Sequence, residues 1–117
     1  MSQSEHDRRI DYVEFPASDI AGVKTFYAEI FGWKFTDYGP AYTSFTDGRL
    51  AGGFTTEARP GPRGALVVLY ARDLESIKNE VTAHGGRIVR EIFEFPGGRR
   101  FHFSDPSGNE LAVWSDR

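Results

Sequence analysis

The stretch that decides the fold is Phe101–Trp114, FHFSDPSGNELAVW, in which a dense turn separates two alternating runs. The turn residues, Asp105 to Asn109, include a proline that fixes φ, a glycine that accepts positive φ, and side chains that bond nearby backbone amides. The aromatic and apolar residues on both sides suit a pleated surface. The stretch therefore predicts a β-hairpin near the end of the chain.

A weaker copy of this hairpin occurs earlier, at Phe45-Thr46-Asp47-Gly48 followed by Leu50 to Phe54. A supersecondary unit that appears twice indicates a domain built from two similar halves. The alternative is that any α+β domain offers turns at such intervals. We favour the duplication, because strands and a helix precede each copy in the same order.

The first half reads as five elements. An alternating strand, Ile10 to Phe15, precedes a helix that Ser18 or Asp19 caps and Gly32 stops. Three strands follow, over Trp33–Tyr38, Tyr42–Thr46 and Arg49–Thr55.

The second half repeats this order. An apolar strand, Ala65 to Ala71, is followed by a helix that Asp73 caps and Gly85-Gly86 stops. The long strand Arg87–Phe95 and the opening hairpin complete it. The predicted fold class is α+β, with two tandem βαβββ modules.

The boundaries follow from composition. We expect a flexible N-terminal tail over 1–9 and a single domain over 10–117. Within this domain, module one covers about 10–56 and module two about 65–115. The linker between them, about 57–64, contains Pro60-Gly61-Pro62. A helix on one face of each sheet would leave two faces that together enclose a cleft.

Composition excludes several classes of protein. The 117 residues are 39% hydrophobic and 15% aromatic, enough for a core, and the net charge of −3 gives no pull toward nucleic acid. There are no cysteines for disulfides or thiolate metal sites. Neither a membrane span nor a secretory signal is visible. We expect a soluble cytoplasmic protein without nucleic-acid or membrane partners.

Several short motifs give the chain a family resemblance. They are Asp19, Phe26-Tyr27 and Phe31-Gly32-Trp33 in the first half, and Asp73-Leu74, Gly85-Gly86 and Phe103 to Asn109 in the second. With these motifs the chain resembles the vicinal oxygen chelate superfamily, which includes glyoxalase I, fosfomycin- and bleomycin-resistance proteins and extradiol dioxygenases. The resemblance implies paired βαβββ modules around a U-shaped cleft, often completed in a homodimer.

The resemblance also implies where a divalent metal would be held. Counting from the matching landmarks, the ligand positions fall on Tyr12, near Gly52, on Val67 and on Ala112. Three of these have no ligating side chain, and neutral tyrosine is a poor ligand. We therefore predict no metal cofactor, which argues against a standard glyoxalase I activity.

The same counting, with strand alternation, predicts which side chains line the cleft. The predicted substrate-binding residues are Tyr12, Tyr42, Ser44, Phe54, Val67, Leu69, Arg100, Glu110 and Trp114. Two further residues, His102 and Glu14, are the catalytic candidates.

His102 could transfer a proton near neutral pH, with Glu14 or Glu110 orienting it. It could equally be a strand residue bonded in the interior. Glu14 lies in an apolar strand and should be paired, either with substrate or with Arg100. An unusual metal site from Glu14, His102 and Glu110 is a further alternative. Arg99 and Arg100 could clamp an anion or form a solvated edge.

The predicted function is binding of a small organic molecule in an aromatic cleft by a homodimer, with metal-independent catalysis as an extension. Two alternatives stay open. One is a metal-dependent glyoxalase-like lyase or isomerase with non-standard ligands. The other is a drug-sequestering resistance protein.

Overall fold

The computed structural model describes residues 3–59, 64–106 and 109–117, in which the chain follows the expected order of elements. Module one contains β1 (Arg9–Pro16), α1 (Ile20–Phe31), β2 (Lys34–Asp37), β3 (Tyr42–Thr46) and β4 (Ala51–Thr55). Module two contains β5 (Leu66–Tyr70), α2 (Leu74–Ala83), β6 (Arg87–Phe95), β7 (Gly98–Ser104) and β8 (Glu110–Ser115). The α+β class and the doubled βαβββ module are confirmed.

The chain divides into two compact units with the same topology. Tyr12–Leu66 is the first-module unit, and Met1–Asp11 with Val67–Arg117 is the second-module unit. The strands of the first lie in the order β2-β3-β4-β1, and those of the second in the order β6-β7-β8-β5. In each unit the first and last strands pair in parallel and the other pairs are antiparallel.

Both helices begin and end where the sequence predicted. The Asp19 side chain accepts the Gly22 N–H at 3.1 Å, and the Asp73 side chain accepts the Ser76 N–H at 3.1 Å. Each carboxylate satisfies an amide that the first helical turn leaves without an intrahelical partner. Gly32 ends α1 with φ 74°, a left-handed conformation that glycine adopts without a Cβ clash.

One face of each sheet is packed against its helix. In the first-module unit, three buried residues and six half-buried or peripheral ones form an aromatic core beside α1: Ala17, Phe45 and Phe54, then Phe15, Ile20, Val23, Tyr27, Trp33 and Phe35. Rings in this core stack closely, for example Trp33 on Phe45 with centroids 4.4 Å apart. Such pairs add stability beyond the area they bury.

The second-module unit has a core of its own. Its buried residues are Ala71, Leu74, Phe101 and Val113. Partly buried side chains pack against them, namely Leu69, Ile77, Val81, Ile88, Ile92 and Phe103. Fully burying one such large side chain contributes about 1.5–3 kcal/mol. In both units the helix therefore covers one face of the sheet and leaves the opposite face for other contacts.

The segment predicted as a tail carries structure. Gln3–His6 forms a 3-10 helix, and β1 begins at Arg9. The Asp7 carboxylate accepts the backbone N–H of Arg72 at 2.8 Å and pairs with its guanidinium at 3.1 Å. These partners are distant in sequence, so composition alone did not indicate the contact.

Two sequence predictions fall partly outside the described residues. These are the Ser107-Gly108 part of the hairpin turn and the Pro60-Gly61-Pro62 part of the linker. Beside the turn, Asn109 donates its backbone N–H and its side-chain amide to the Asp105 carboxylate at 2.9 and 3.0 Å. Among the described helices, none is long and apolar enough to cross a membrane.

Candidate functional site

A hydroxyl–carboxylate chain lies on the face of the first-module unit opposite α1. Tyr42 Oη donates to Glu14 Oε2 at 2.9 Å, and the hydroxyls of Tyr12 and Tyr42 are hydrogen-bonded. Tyr42 has one hydroxyl hydrogen, so Tyr12 is the donor in the second bond. Burial, followed by the charge of Glu14, strongly raises the pKa of Tyr42. Tyr42 therefore stays a neutral donor at physiological pH.

Gly53 makes room for these hydroxyls. A Cβ at this position would lie well under 3.0 Å from the hydroxyl oxygens of Tyr42 and Tyr12. Glycine inside a strand often marks a close approach of another group to the backbone. The Gly52-Gly53 pair carried that signal, although the sequence reasoning did not use it.

The prediction of which β4 side chains lie on the face opposite α1 was wrong by one residue. Phe54 is 3% exposed and stacks on Phe15 with ring centroids 5.5 Å apart, within the core beside α1. The ladder sets this phase, because Gly53 pairs with Ser44. Phe54 therefore does not line the face that carries Tyr42. Ser44 does share that face by alternation, and its hydroxyl donates to the Thr36 carbonyl at 3.4 Å.

In the second-module unit, β7 and β8 have the predicted phase. Phe101 and Phe103 belong to the core beside α2, so Arg100 and His102 lie on the opposite face. Arg100 pairs in register with Trp114, and His102 pairs with Ala112.

For β5 the predicted phase was wrong. Leu69 packs in the core beside α2, and Val67, two residues before it, shares that face. The parallel ladder aligns Val68 with Ala112 and Tyr70 with Trp114. These two residues therefore occupy the face where Val67 and Leu69 were expected. An almost uniformly apolar strand, LVVLY, gave no alternation from which to fix the phase.

His102 is the central side chain of this face. It is 7% exposed, and its Nδ1 lies 2.9 Å from Glu110 Oε2. A carboxylate only accepts hydrogen bonds, so Nδ1 carries the proton and Nε2 is an acceptor. Nε2 is buried and has no hydrogen-bond partner in the described part of the chain. The side chain thus presents a buried acceptor whose donor is missing.

Burial is the main cause that lowers the pKa of His102, and the cations of Arg100 and Arg90 lower it further. The Glu110 carboxylate opposes these effects. The net direction is downward, so the imidazole is neutral at physiological pH.

Two register shifts in β6 bring further residues to His102. They lie between Ile88 and Arg90 and between Arg90 and Phe93, so that Arg90 pairs with His102 and Phe93 with Arg100. Strict alternation would put Arg90 and Phe93 on opposite faces. Instead, the Arg90 guanidinium carbon lies 3.6 Å from the Phe93 ring centroid, and the Phe93 and His102 ring centroids are 5.9 Å apart. Sequence reasoning missed both residues, because an extra residue in a bulge leaves no clear signal.

An aromatic surface continues from Phe93 along this face. The ring centroids of Phe95 and Trp114 are 6.2 Å apart, and the Arg100 guanidinium carbon lies 5.9 Å from the Phe95 ring. The Trp114 indole N–H donates to Asp11 Oδ2 at 2.9 Å, which fixes the ring. We call the residues Arg90, Phe93, Phe95, Arg100, His102, Glu110 and Trp114 the His102 face.

The side chains present do not fit the metal set that the family resemblance implied. With the observed strand pairing, the ligand position in β4 falls on Gly53 rather than Gly52, and the one in β5 falls on Val68 rather than Val67. Neither Gly53 nor Val68 has a side-chain atom that can bind a metal. Ala112 is unchanged. Among the described residues, no three His, Asp or Glu side chains are grouped to hold a metal ion.

A shallow concavity of about 520 Å³ runs along α2 and is lined by Asp73, Glu75, Ser76, Asn79, Glu80 and Ala83. None of the predicted site residues lines it. It is open to solvent and lacks aromatic side chains, whereas small-molecule sites are mostly apolar. The His102 face is the better candidate on chemical grounds.

Comparison with known proteins gives a family match and several similar structures. The model of the Glyoxalase/Bleomycin resistance protein/Dioxygenase superfamily matches residues 9–113. Among curated proteins, "Anthracycline biosynthesis protein DauV" of Streptomyces sp. (strain C5) is 31% identical over 124 residues, covering 88% of this chain and 45% of that protein. The chain spans 44–45% of the length of the curated relatives it matches.

Two solved structures show the same fold. The Mn(II)-bound glyoxalase from Novosphingobium aromaticivorans matches with a TM-score of 0.72 and 24% identity, over 95% of this chain and 40% of that one. Methylmalonyl-CoA epimerase from Mycobacterium tuberculosis matches with a TM-score of 0.73 and 12% identity, over 98% of this chain and 91% of that one. At these identities the likeness concerns the fold alone.

Proposed function

Since the chain belongs to the Glyoxalase/Bleomycin resistance protein/Dioxygenase superfamily, we propose that it binds a small organic molecule on the His102 face without a metal ion. One observation carries this proposal, the buried Nε2 of His102 that has no partner among the described residues. A buried polar atom without a partner costs about 1–3 kcal/mol, which a bound molecule would recover. The rings of Phe93, Phe95 and Trp114 supply the apolar surface that such sites need.

Metal independence is part of the same proposal. It is supported by the side chains at the family's ligand positions, where Gly53, Val68 and Ala112 offer no oxygen, nitrogen or sulfur donor. Binding would instead depend on hydrogen bonds, cations and rings of the chain itself.

A ligand screen by thermal shift tests the proposal. The library includes aromatic acids, cationic antibiotics and polycyclic aromatic compounds, because the relative DauV is named for anthracycline biosynthesis. We expect hits that raise the melting temperature of the wild type and raise it less in His102→Phe. The control is His84→Phe, at an exposed helix end. Hits that stabilise both variants equally would place binding elsewhere.

A second function, proton abstraction from the bound molecule, is supported by the same geometry. Glu110 holds the Nδ1 proton, so the neutral Nε2 could act as a general base. The reaction class would be that of a glyoxalase-like lyase or isomerase. Turnover of methylglyoxal–thiol adducts, compared with His102→Ala and Glu14→Gln, tests this role. Rates that are unchanged in His102→Ala would exclude it.

A further inference from the structure

The buried Nε2 of His102 determines what a ligand at this face must offer. His102 Nδ1 holds its proton toward Glu110, so Nε2 has a lone pair and no hydrogen. Its missing partner is therefore a hydrogen-bond donor, an O–H or N–H group. A ligand with acceptors alone would leave Nε2 without a hydrogen bond. It would also lose the hydration of its own oxygen on binding.

The charges beside this atom favour an anion. Arg90 lies directly opposite His102 in the β6–β7 ladder, and Arg100 follows on the same face of β7. Both cations act electrostatically on His102. The Glu110 carboxylate of this face bonds His102, and the neighbouring Asp11 carboxylate accepts from both Trp114 and Gln3. A guanidinium binds a carboxylate with matched geometry.

The rings define the shape of the ligand. The Phe93 ring centroid lies 5.9 Å from that of His102, 3.6 Å from the Arg90 guanidinium carbon and 5.4 Å from that of Arg100. Arg90 is exposed, so its side chain can move off the ring without disturbing the core. A planar ring in its place would stack on Phe93, reach Nε2 at one edge and meet the guanidinium at the other.

We propose that the ligand of the His102 face is an aromatic carboxylate that carries an O–H or N–H donor. Nε2 of His102 accepts from the donor, Arg90 binds the carboxylate, and Phe93 stacks on the ring. This deepens the proposed function and rests on it.

Isothermal titration with three matched probes tests the proposal. 4-Hydroxybenzoate has both groups, benzoate lacks the donor, and 4-hydroxybenzamide lacks the charge. We expect 4-hydroxybenzoate to bind at least about fivefold more tightly than benzoate, because benzoate leaves the buried acceptor unpaired. It should also bind more tightly than 4-hydroxybenzamide, because only the acid offers the guanidinium a carboxylate.

Two variants assign the preferences to side chains. His102→Phe removes the acceptor while keeping a ring, so the preference for 4-hydroxybenzoate over benzoate should fall below about twofold. Arg90→Gln should abolish the preference for the acid over the amide. Arg87→Gln, at an exposed position of the same strand, is the matched control and should keep both preferences.

A measurement on the wild type covers the case in which His102→Phe does not fold. The ¹⁵N resonance of His102 Nε2 should shift when 4-hydroxybenzoate is added and much less with benzoate.

The outcomes separate this inference from the broader function. Equal affinity for the three probes, or tight binding only of other molecules from the screen, overturns the ligand class and leaves binding at this face intact. If neither the probes nor any screened molecule perturbs His102, both the class and the proposed function are wrong.

Discussion

At the scale of single residues, the His102 face depends on how each polar atom is partnered. Glu110 fixes which nitrogen of His102 carries the proton, and the other nitrogen is left as a buried acceptor. In the first-module unit, by contrast, the polar atoms of Tyr42 have partners, because its hydroxyl donates to Glu14 and accepts from Tyr12. The hydroxyls of Tyr12 and Tyr42 thus have partners, whereas Nε2 of His102 has none among the residues that the structure describes.

We expect the free energy of unfolding to fall as pH decreases below the ordinary histidine pKa near 6.5. Burial lowers the pKa of His102 in the folded state, so the unfolded chain takes up this proton first. Unfolding then binds a proton, and stability rises with pH across this window, by at most about 1.4 kcal/mol per pH unit for one group. Urea unfolding at several pH values measures the slope.

The charged groups beside His102 are the cations Arg90 and Arg100 and the carboxylate Glu110. The variant for comparison is His102→Gln, which cannot take up this proton. Its profile should be flatter than that of the wild type below about pH 6.5. If the two profiles are parallel there, the protonation of His102 is not linked to folding.

Gly53 should not tolerate a methyl group. Gly53→Ala places a Cβ against the hydroxyls of Tyr42 and Tyr12, and the overpacking should cost about 1–3 kcal/mol. Denaturant unfolding measures the loss. Ala51→Ser adds one atom at an exposed position of the same strand and should change stability by less than about 0.5 kcal/mol. Equal effects of both substitutions would show that the hydroxyls can move aside.

At the scale of elements, β6 decides the composition of the His102 face. Its two bulges turn Arg90 and Phe93 toward His102 while Ile88 and Ile92 stay in the core. A regular strand could not do this with the same spacing, because residues three apart point to opposite faces. Bulges near functional sites commonly re-aim a side chain in this way.

The two helix caps should contribute to stability to a similar extent. Asp19→Ala and Asp73→Ala each remove an acceptor for a first-turn amide and should cost about 0.5–2 kcal/mol. Thermal unfolding measures both. The matched Asn variants keep the acceptor and should recover most of the loss. No loss in an Ala variant would mean that water satisfies the freed amide equally well.

At the scale of the whole molecule, the repeat places equivalent strands in equivalent positions of the two units. Each unit pairs its first strand in parallel with its last and covers one face with its helix. The side chains on the face opposite the helix nevertheless differ between the units. The first-module unit presents two tyrosines and a glutamate, and the second-module unit presents a histidine among cations and rings.

We expect no tight metal binding by the whole chain. Native mass spectrometry with zinc, nickel, manganese and iron should show no stoichiometric complex, because three of the family's ligand positions carry no donor atom and the fourth carries a tyrosine, a poor ligand while neutral. Removal of metal by a chelator should leave the affinity for any ligand found in the screen unchanged. One tightly bound ion per chain would contradict metal independence.

The homodimer that the family resemblance implied stays a prediction. Light scattering during size-exclusion chromatography should give twice the mass of the chain. The mass of one chain across the concentrations tested would exclude a stable homodimer.

The sequence by itself determined the order of elements, the helix boundaries and the family. These features have local signals that can be recognised in the sequence alone: the helix caps Asp19 and Asp73, the turn at Asp47-Gly48, and the repeated order of elements. Counting from the family's landmarks, together with strand alternation, also placed Tyr12, Glu14, Tyr42, Arg100 and His102 on the faces opposite the helices.

Only the tertiary structure decided the phases of β4 and β5, which moved Phe54, Val67 and Leu69 into or beside the helix-facing cores. Such strands are apolar on both faces or glycine-rich, so partner strands rather than their own pattern set which side chain points where. The bulges of β6 and the contact between Asp7 and Arg72 have the same origin. They are settled by pairing between residues distant in sequence, which no local pattern encodes.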